Sequence, residues 1–311
     1  SLHHNRHKLR NHVVQFGFSS YSFYQYLRDG RMSLLDVIDW IAASDATHME
    51  IATVSLSPEI GNDTSDLPGD AALVAALAAR AAETGVTLSN LVVPGDLLGS
   101  PDEAAASMAR LKRHIDLAAE LGIGLFRHDV AKWAHRAKDY AEFEALLPRM
   151  VEGSKELAQY AAQYGIVTSV ENHGLLMNGS ERVRRLIHLV DEPNFKTTLD
   201  VGNFMSVDEN PVVAVAENAP VASIVHLKDF YIRRTSPGPG WHHTPGGQYL
   251  LGAIVGYGDL DMPAIVNGIL AANYDGFVSI EFEGIEDALL GASRGLENAQ
   301  RIFAEVAAAR A

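Results

Sequence analysis

The sequence predicts a single (β/α)8 barrel with a long loop after its seventh strand. Three observations lead there. Short apolar runs alternate with helical stretches eight times along the chain, the signature of a parallel sheet, and that count favours a closed barrel. Four of the runs end abruptly in a carboxylate or an imidazole, whereas a buried parallel strand should read as continuously apolar. No Gly-x-Gly-x-x-Gly follows the first run, and there is no Gly-x-x-x-x-Gly-Lys phosphate loop. An open doubly wound sheet stays the alternative. The 311 residues suit one large barrel, for which about 250 is typical, or two ordinary domains by length alone. No linker composition or repeat beyond the β/α unit divides them.

A polar, basic tail over residues 1–12 precedes the barrel domain, residues 13–311; its histidines read as a solvated end. Residues 13–18 form the first strand, followed by the aromatic-rich Tyr21 to Phe23. Residues 33–41 have helical periodicity, with Ser33 as N-cap and Asp36 completing a capping box. His48-Met49-Glu50-Ile51 is the second strand. An Ala/Leu-rich helix over residues 70–83 stops at Gly85. Residues 86–92 are the third strand, closed by Pro94-Gly95. Ser100 caps the next helix, with Pro101 in its first turn, and it runs to Leu121. Residues 125–130 are the fourth strand. Residues 140–164 form a long helix, with a break expected at Pro148.

The fifth strand follows Gly165 and runs into Glu171-Asn172-His173. A helix over residues 180–190 leads to the sixth strand, residues 195–200. A short helix over residues 211–218 leads to the seventh, residues 222–226. Residues 230–259, rich in Pro, Gly and aromatics, read as a lid or binding loop. Residues 261–272 are helical, residues 277–281 are the eighth strand, and a helix from residue 286 closes the chain.

Composition narrows the function. A formal charge of −14 argues against a nucleic-acid surface and against an anionic membrane. The absence of cysteine excludes disulfides and thiolate metal sites, and is compatible with a reducing, cytoplasmic setting. Neither a signal peptide nor a membrane-spanning run is visible. The 47% hydrophobic fraction supports a large core.

The polar strand ends carry the chemistry. Glu171, Asp200, His226 and Glu281 close the fifth to eighth strands in that order, at the end of a β/α barrel that faces the active site. Oxygen and imidazole donors suit one divalent metal: Mn²⁺, Co²⁺ or Mg²⁺, with Zn²⁺ admissible.

Four motifs carry a family resemblance. Glu171-Asn172-His173, Leu199-Asp200-Val201-Gly202-Asn203, His226-Leu227-Lys228-Asp229 and Ser279-Ile280-Glu281-Phe282-Glu283 resemble the xylose isomerase-like TIM barrel superfamily, in its sugar phosphate isomerase and ketose epimerase branch. Gly256-Tyr257-Gly258-Asp259 resembles that branch's Gly-x-Gly-Asp segment. The resemblance spans essentially the whole chain. It implies a divalent metal on Glu171, Asp200, His226 and Glu281, with Glu171 and Glu281 doubling as acid and base on opposite sides of the substrate. Two positions depart from the pattern of its epimerases: Asn203 stands where they often carry a substrate-binding His, and Met177 where they carry a second Glu.

Moving a proton next to a carbonyl needs a base, an acid and a group that holds the enediolate oxygen; a divalent cation supplies the last. Glu171 is the expected base and Glu281 the group that returns the proton. The expected activity is a sugar or sugar-phosphate isomerase or epimerase working through a metal-stabilised enediolate. A lyase or dehydratase on a keto-sugar or 3-keto-glycoside is the alternative in the same site, with His173 or His128 as a separate acid. A nuclease like endonuclease IV would need more histidines and a basic surface, and a sugar-binding barrel would lack the metal. Barrels of this kind often pair, so a homo-oligomer is compatible.

Substrate contacts are expected from His173, Asn203, Arg127, His128, Asp229 and Arg233. Each has a structural alternative. His173 and Asn203 could brace Glu171. Arg127 and His128 could pair with Asp129 or Glu50, and Asp229 with Lys228 or the metal. Arg233 could lie in a solvated loop with Arg234, His242 and His243. Glu50 is expected to orient a neighbour. Tyr21, Phe23, Trp133 and Trp241 offer an apolar wall or plain packing. His48, His114, His135 and His188 are expected to be structural or solvated.

Overall fold

The computed structural model describes residues 14–58, 63 and 65–310; the tail expected over residues 1–12 lies outside the described residues. Eight parallel strands close into a barrel: β1 (Gln15–Ser19), β2 (His48–Ala52), β3 (Thr87–Val93), β4 (Leu125–His128), β5 (Val167–Glu171), β6 (Phe195–Asp200), β7 (Ala222–Leu227) and, as the last barrel strand, β11 (Phe277–Ile280), which pairs with both β7 and β1. Helices follow the strands: α1 (Tyr24–Arg28), α2 (Leu34–Ala42), α3 (Ala71–Thr84), α4 (Pro101–Glu120), α5 (Tyr140–Ala162), α6 (Ser180–Val190), α7 (Pro211–Asn218), α8 (Met262–Ala271) and α9 (Ala288–Arg310). Among the described residues, no helix is long and apolar enough to cross a membrane.

The helix ends obey local chemistry. Ser33 with Asp36 and Ser100 with Glu103 form full capping boxes at α2 and α4. Gly85 ends α3 in the left-handed region (φ 76°), where a side chain would be strained. The break expected at Pro148 does not occur, and α5 runs through it. Pro148 lies on the exposed face, so water can bind the carbonyl that loses its donor, while Phe143, Leu147 and Met150 keep the opposite face in the core.

Residues 230–259 are not a plain loop. They hold a three-stranded antiparallel sheet of β8 (Asp229–Arg233), β9 (His242–His243) and β10 (Tyr249–Ala253), in the order β8-β10-β9. Every Pro of the segment, and most of its Gly, lies outside the strands, which the composition of the whole segment obscured. Phe230 and Leu250 pack with Met205 as a small separate core.

Apolar residues between strands and helices form the main core. The barrel lumen is partly polar. Ser169 and Thr198 share a hydrogen bond (2.8 Å), and His48 joins Ser89 through Nδ1 (2.8 Å) and reaches the Gln15 carbonyl through Nε2 (3.1 Å). Burial lowers the His48 pKa to about 4, so the ring is neutral at pH 7. Gly17 makes room for it, since a Cβ there would collide with the His48 carbonyl and ring. Gly17→Ala is therefore expected to cost about 1–3 kcal/mol of stability through overpacking. Urea denaturation reads this directly, and an unchanged midpoint would show that the ring can move aside.

Candidate metal centre

Strand alternation sends every second side chain into the lumen. It brings Glu171 at the end of β5, Asp200 at the end of β6, His226 near the end of β7 and Glu281 just past β11 to one place. One donor atom from each lies within 4.8 Å of the others. His226 Nδ1 is 4.0 Å from Glu171 Oε2, 4.0 Å from Asp200 Oδ2 and 3.7 Å from Glu281 Oε2. Ligands at about 2.1 Å from a shared ion stand roughly this far apart.

The orientation of these donors is a test of whether a metal fits. Glu50 of β2, fully buried, reaches across the lumen to His226 Nε2 (2.9 and 3.0 Å), and Asn90 donates to its Oε2 (2.7 Å). The contact fixes the ring with Nε2 on Glu50 and Nδ1 facing the cluster, the orientation in which metal-ligating histidines are commonly held. Asp200 Oδ1 accepts from the backbone N–H of Gly202 and of Asn203 (both 2.8 Å), which directs Oδ2 inward. His226 Nδ1 and Asp200 Oδ2 are both buried and make no hydrogen bond. Burial pushes the Asp200 carboxyl up to about 6 despite Lys228 nearby, so its charge is undercompensated by protein groups. Three oxygens and one imidazole nitrogen aimed at one point fit a hard or borderline divalent cation.

A layer of partners holds the donors. Asn203 donates to Glu171 Oε1 (2.9 Å), and Arg127 Nε lies 3.0 Å from Glu171 Oε2. Arg127 also bonds Asp129 (2.7 Å), which sits 3.2 Å from His173 Nδ1. Burial opposes a charged His173, but Asp129 outweighs it and raises the pKa. Met177 lies in the same small pocket as Glu171 and His173, so that position offers no acid.

Lys228 is the site residue that the strand-end pattern missed. Its buried ammonium stands 2.9 Å from Glu281 Oε2, 3.3 Å from Asp200 Oδ2, 3.0 Å from Glu283 Oε1 and 3.2 Å from Asn203 Oδ1. Burial alone would disfavour both charges; Lys228 and His226 nevertheless hold Glu281 well below the usual carboxylate range. The signal was present: residue 228 shares the face of residue 226, and residue 283 that of residue 281.

Three expected substrate contacts lie elsewhere. His128 faces the helical layer, on the side of Phe126 and near Phe195, fully buried, while Arg127 takes the lumen side. Asp229 Oδ2 accepts from the N–H groups of Gly256 (2.9 Å) and Gly258 (3.1 Å), and Oδ1 from Phe230 (2.8 Å), so it anchors the Gly-x-Gly-Asp turn. Arg233 is half-exposed and pairs with Asp259 (3.0 Å). Of the proposed wall, Trp133 meets the His242 ring edge-on at 5.2 Å, and Phe23 is plain core with Phe18 and Trp40.

Residues 38–304 match the family described as xylose isomerase-like TIM barrel. The chain belongs to that family. Among curated proteins none matches it significantly. Similar solved structures include a xylose isomerase-like TIM barrel protein from Mycobacterium smegmatis in complex with magnesium (TM-score 0.66, 16% identity, 96% of this chain and 99% of that one). The 3-keto-D-glucoside 4-epimerase of E. coli gives a TM-score of 0.68 at 17% identity over 93% of this chain and 99% of that one. A probable 3-DHS dehydratase from Bacillus anthracis gives 0.67 at 14% over 91% and 98%. At these identities the likeness shows the barrel fold.

Two outcomes follow from the geometry. Glu50→Gln is expected to weaken divalent-metal binding by about 10–100-fold in calorimetric titration, because His226 loses the partner that orients it; wild-type affinity would remove Glu50 from that role. Burial also depresses the His128 pKa from 6.5 to about 4. The unfolded state then binds the proton first, so stability is full above pH 6.5 and falls as pH drops toward 4, by on the order of 2–3 kcal/mol from this group. His128→Gln should flatten that part of the urea-midpoint profile, and an unaltered profile would contradict it.

Proposed function

We propose that the protein is a divalent-metal-dependent sugar or sugar-phosphate isomerase or epimerase that transfers a proton next to a carbonyl. The observation that carries the reading is the pair of buried glutamates, Glu171 and Glu281, flanking His226 Nδ1 in one donor cluster. Glu171, Asp200, His226 and Glu281 would hold a divalent cation, which would polarise the carbonyl and balance charge on the oxygen beside it. Mn²⁺, Co²⁺ and Mg²⁺ suit the donors best, and Zn²⁺ is compatible.

The remaining chemistry belongs to the chain. Glu171 takes the proton from the carbon next to the carbonyl, and the C–H electron pair moves into the enediolate. Arg127 and Asn203 fix the carboxylate for that step. Glu281, ionised at rest beside Lys228 and His226, takes a proton from water and delivers it to the opposite face while Glu171 gives its own back to water, which completes an epimerisation; delivery to the neighbouring carbon exchanges aldose and ketose. Each positioned acid or base of this kind typically contributes about 10²–10⁴-fold.

A second reading, a lyase on a keto-sugar or 3-keto-glycoside, is favoured by the Asp129–His173 pair, a partly exposed imidazole held beside Glu171. There His173 would protonate a leaving group after the same first step. Incubation with ketoses in D₂O separates the two: deuterium uptake without elimination supports the isomerase, and release of a β-substituent supports the lyase.

Glu171→Gln and Glu281→Gln are each expected to lower turnover by at least about 10²-fold; a near-normal rate in either would end the two-carboxylate mechanism. Chelation should abolish activity, and added divalent metal should restore it. Full activity in chelated protein would end the metal proposal.

A further inference from the structure

Strand β11 ends at Ile280, one residue before Glu281, and β1 leaves the sheet after Ser19 for a 3₁₀ turn over Ser20–Phe23. The pairing of the two strands runs as far as Phe18 and Ile280, one residue short of Glu281. In a parallel ladder, the N–H and C=O of one residue join the N–H after and the carbonyl before the residue opposite. The groups that β1 leaves behind at Glu281 are therefore the Ile280 carbonyl and the Phe282 N–H.

Ser22 takes both. Its Oγ donates to the Ile280 carbonyl (2.9 Å) and accepts from the Phe282 N–H (2.9 Å). A hydroxyl is donor and acceptor at once, so one side chain does what a residue of β1 would have done. Ser22 and Phe282 are both buried, which keeps water out of the exchange. On the opposite side, the Glu281 N–H donates to the Leu227 carbonyl of β7 (3.0 Å). The peptide units before and after Glu281 are thus both tied down, and with them the direction of its Cα–Cβ bond. Further along, the Phe282 ring packs so closely on Gly284 and Gly291 that a Cβ on either would collide with it. Lys228 and His226 act on the Glu281 carboxylate; Ser22 acts on the backbone that carries it.

We infer that Ser22 is a positioning residue for Glu281: by completing the ladder that β1 abandons, it aims the carboxylate at the donor cluster. The inference rests on the reading of Glu171, Asp200, His226 and Glu281 as metal ligands, and adds the group that directs one of them. Without the hydroxyl, the Phe282 N–H is left buried and unpaired, a cost the segment relieves by moving. That movement carries Glu281 away from the other three donors, which belong to β5, β6 and β7.

The test is calorimetric titration of the full chain with Mn²⁺, which needs no substrate. Ser22→Ala is expected to bind Mn²⁺ more weakly by about tenfold or more, as when other partners of metal ligands are removed. Added to Glu281→Ala, it is expected to weaken binding no further, because the ligand it aims is gone. Tyr274→Phe is the control. It removes the hydroxyl that donates to the Phe277 carbonyl (2.6 Å) at the other end of β11, and is expected to lower the urea midpoint with Mn²⁺ affinity unchanged. Wild-type affinity in Ser22→Ala overturns the inference and leaves the metal reading intact. An equal loss with and without Glu281, or the same loss in Tyr274→Phe, also overturns it, since Ser22 would then act on the fold at large. A wild type that takes up no Mn²⁺ overturns the metal reading and the inference together. If Ser22→Ala does not fold, Ser22→Cys is read in the same cycle, its thiol being nearly the same shape and only a weak donor and acceptor.

Discussion

Buried negative charge at one end of the barrel is the constraint on which the rest depends. Asp200 and Glu50 are fully buried and Glu171 and Glu281 nearly so, and an uncompensated carboxylate in such surroundings is costly enough to change its ionisation. The protein answers in three ways. Arg127 pairs Asp129 and Glu171, Lys228 pairs Asp200, Glu281 and Glu283, and backbone N–H groups satisfy one oxygen of Asp200. What is left without a hydrogen bond is His226 Nδ1 and Oδ2 of Asp200, the atoms a cation would take.

Closure of the barrel makes this arrangement possible. Glu50 lies far from His226 in the chain, and β1 and β11 stand between their strands in the sheet, yet the two side chains meet across the lumen. An open sheet would put β2 at an edge, and Glu50 would have no histidine to orient. The polar lumen beneath, where His48, Ser89, Ser169 and Thr198 satisfy one another, carries the same logic toward the other end of the strands.

The small sheet after β7 shows how a motif residue can serve a site without entering it. Asp229 directs its carboxylate to the backbone of residues 256–258, and that turn closes the excursion before α8. Gly252 of β10 bridges to Gly284, which ties the sheet to the segment carrying Glu281 and Glu283. Arg233 and Trp241 remain on its outer side with Asp259.

Local patterns were enough for the order of the eight barrel strands, though not for the small sheet after the seventh, because helix caps such as Ser33–Asp36 and strand ends such as Ile280–Glu281 are written in adjacent residues. They also pointed to the four side chains that gather in one cluster, since a polar group at the end of an apolar strand has few structural reasons to be there. Tertiary structure decided what each neighbour does. Two adjacent residues, Arg127 and His128, part to opposite faces of β4, one to the centre and one to the helical layer. Lys228 looked like a partner for Asp229 and instead stands against Asp200, Glu281 and Glu283, while Glu50 found its histidine through barrel closure alone. Periodicity assigns a side chain to a face; only the closed barrel determines which distant groups share that face with it.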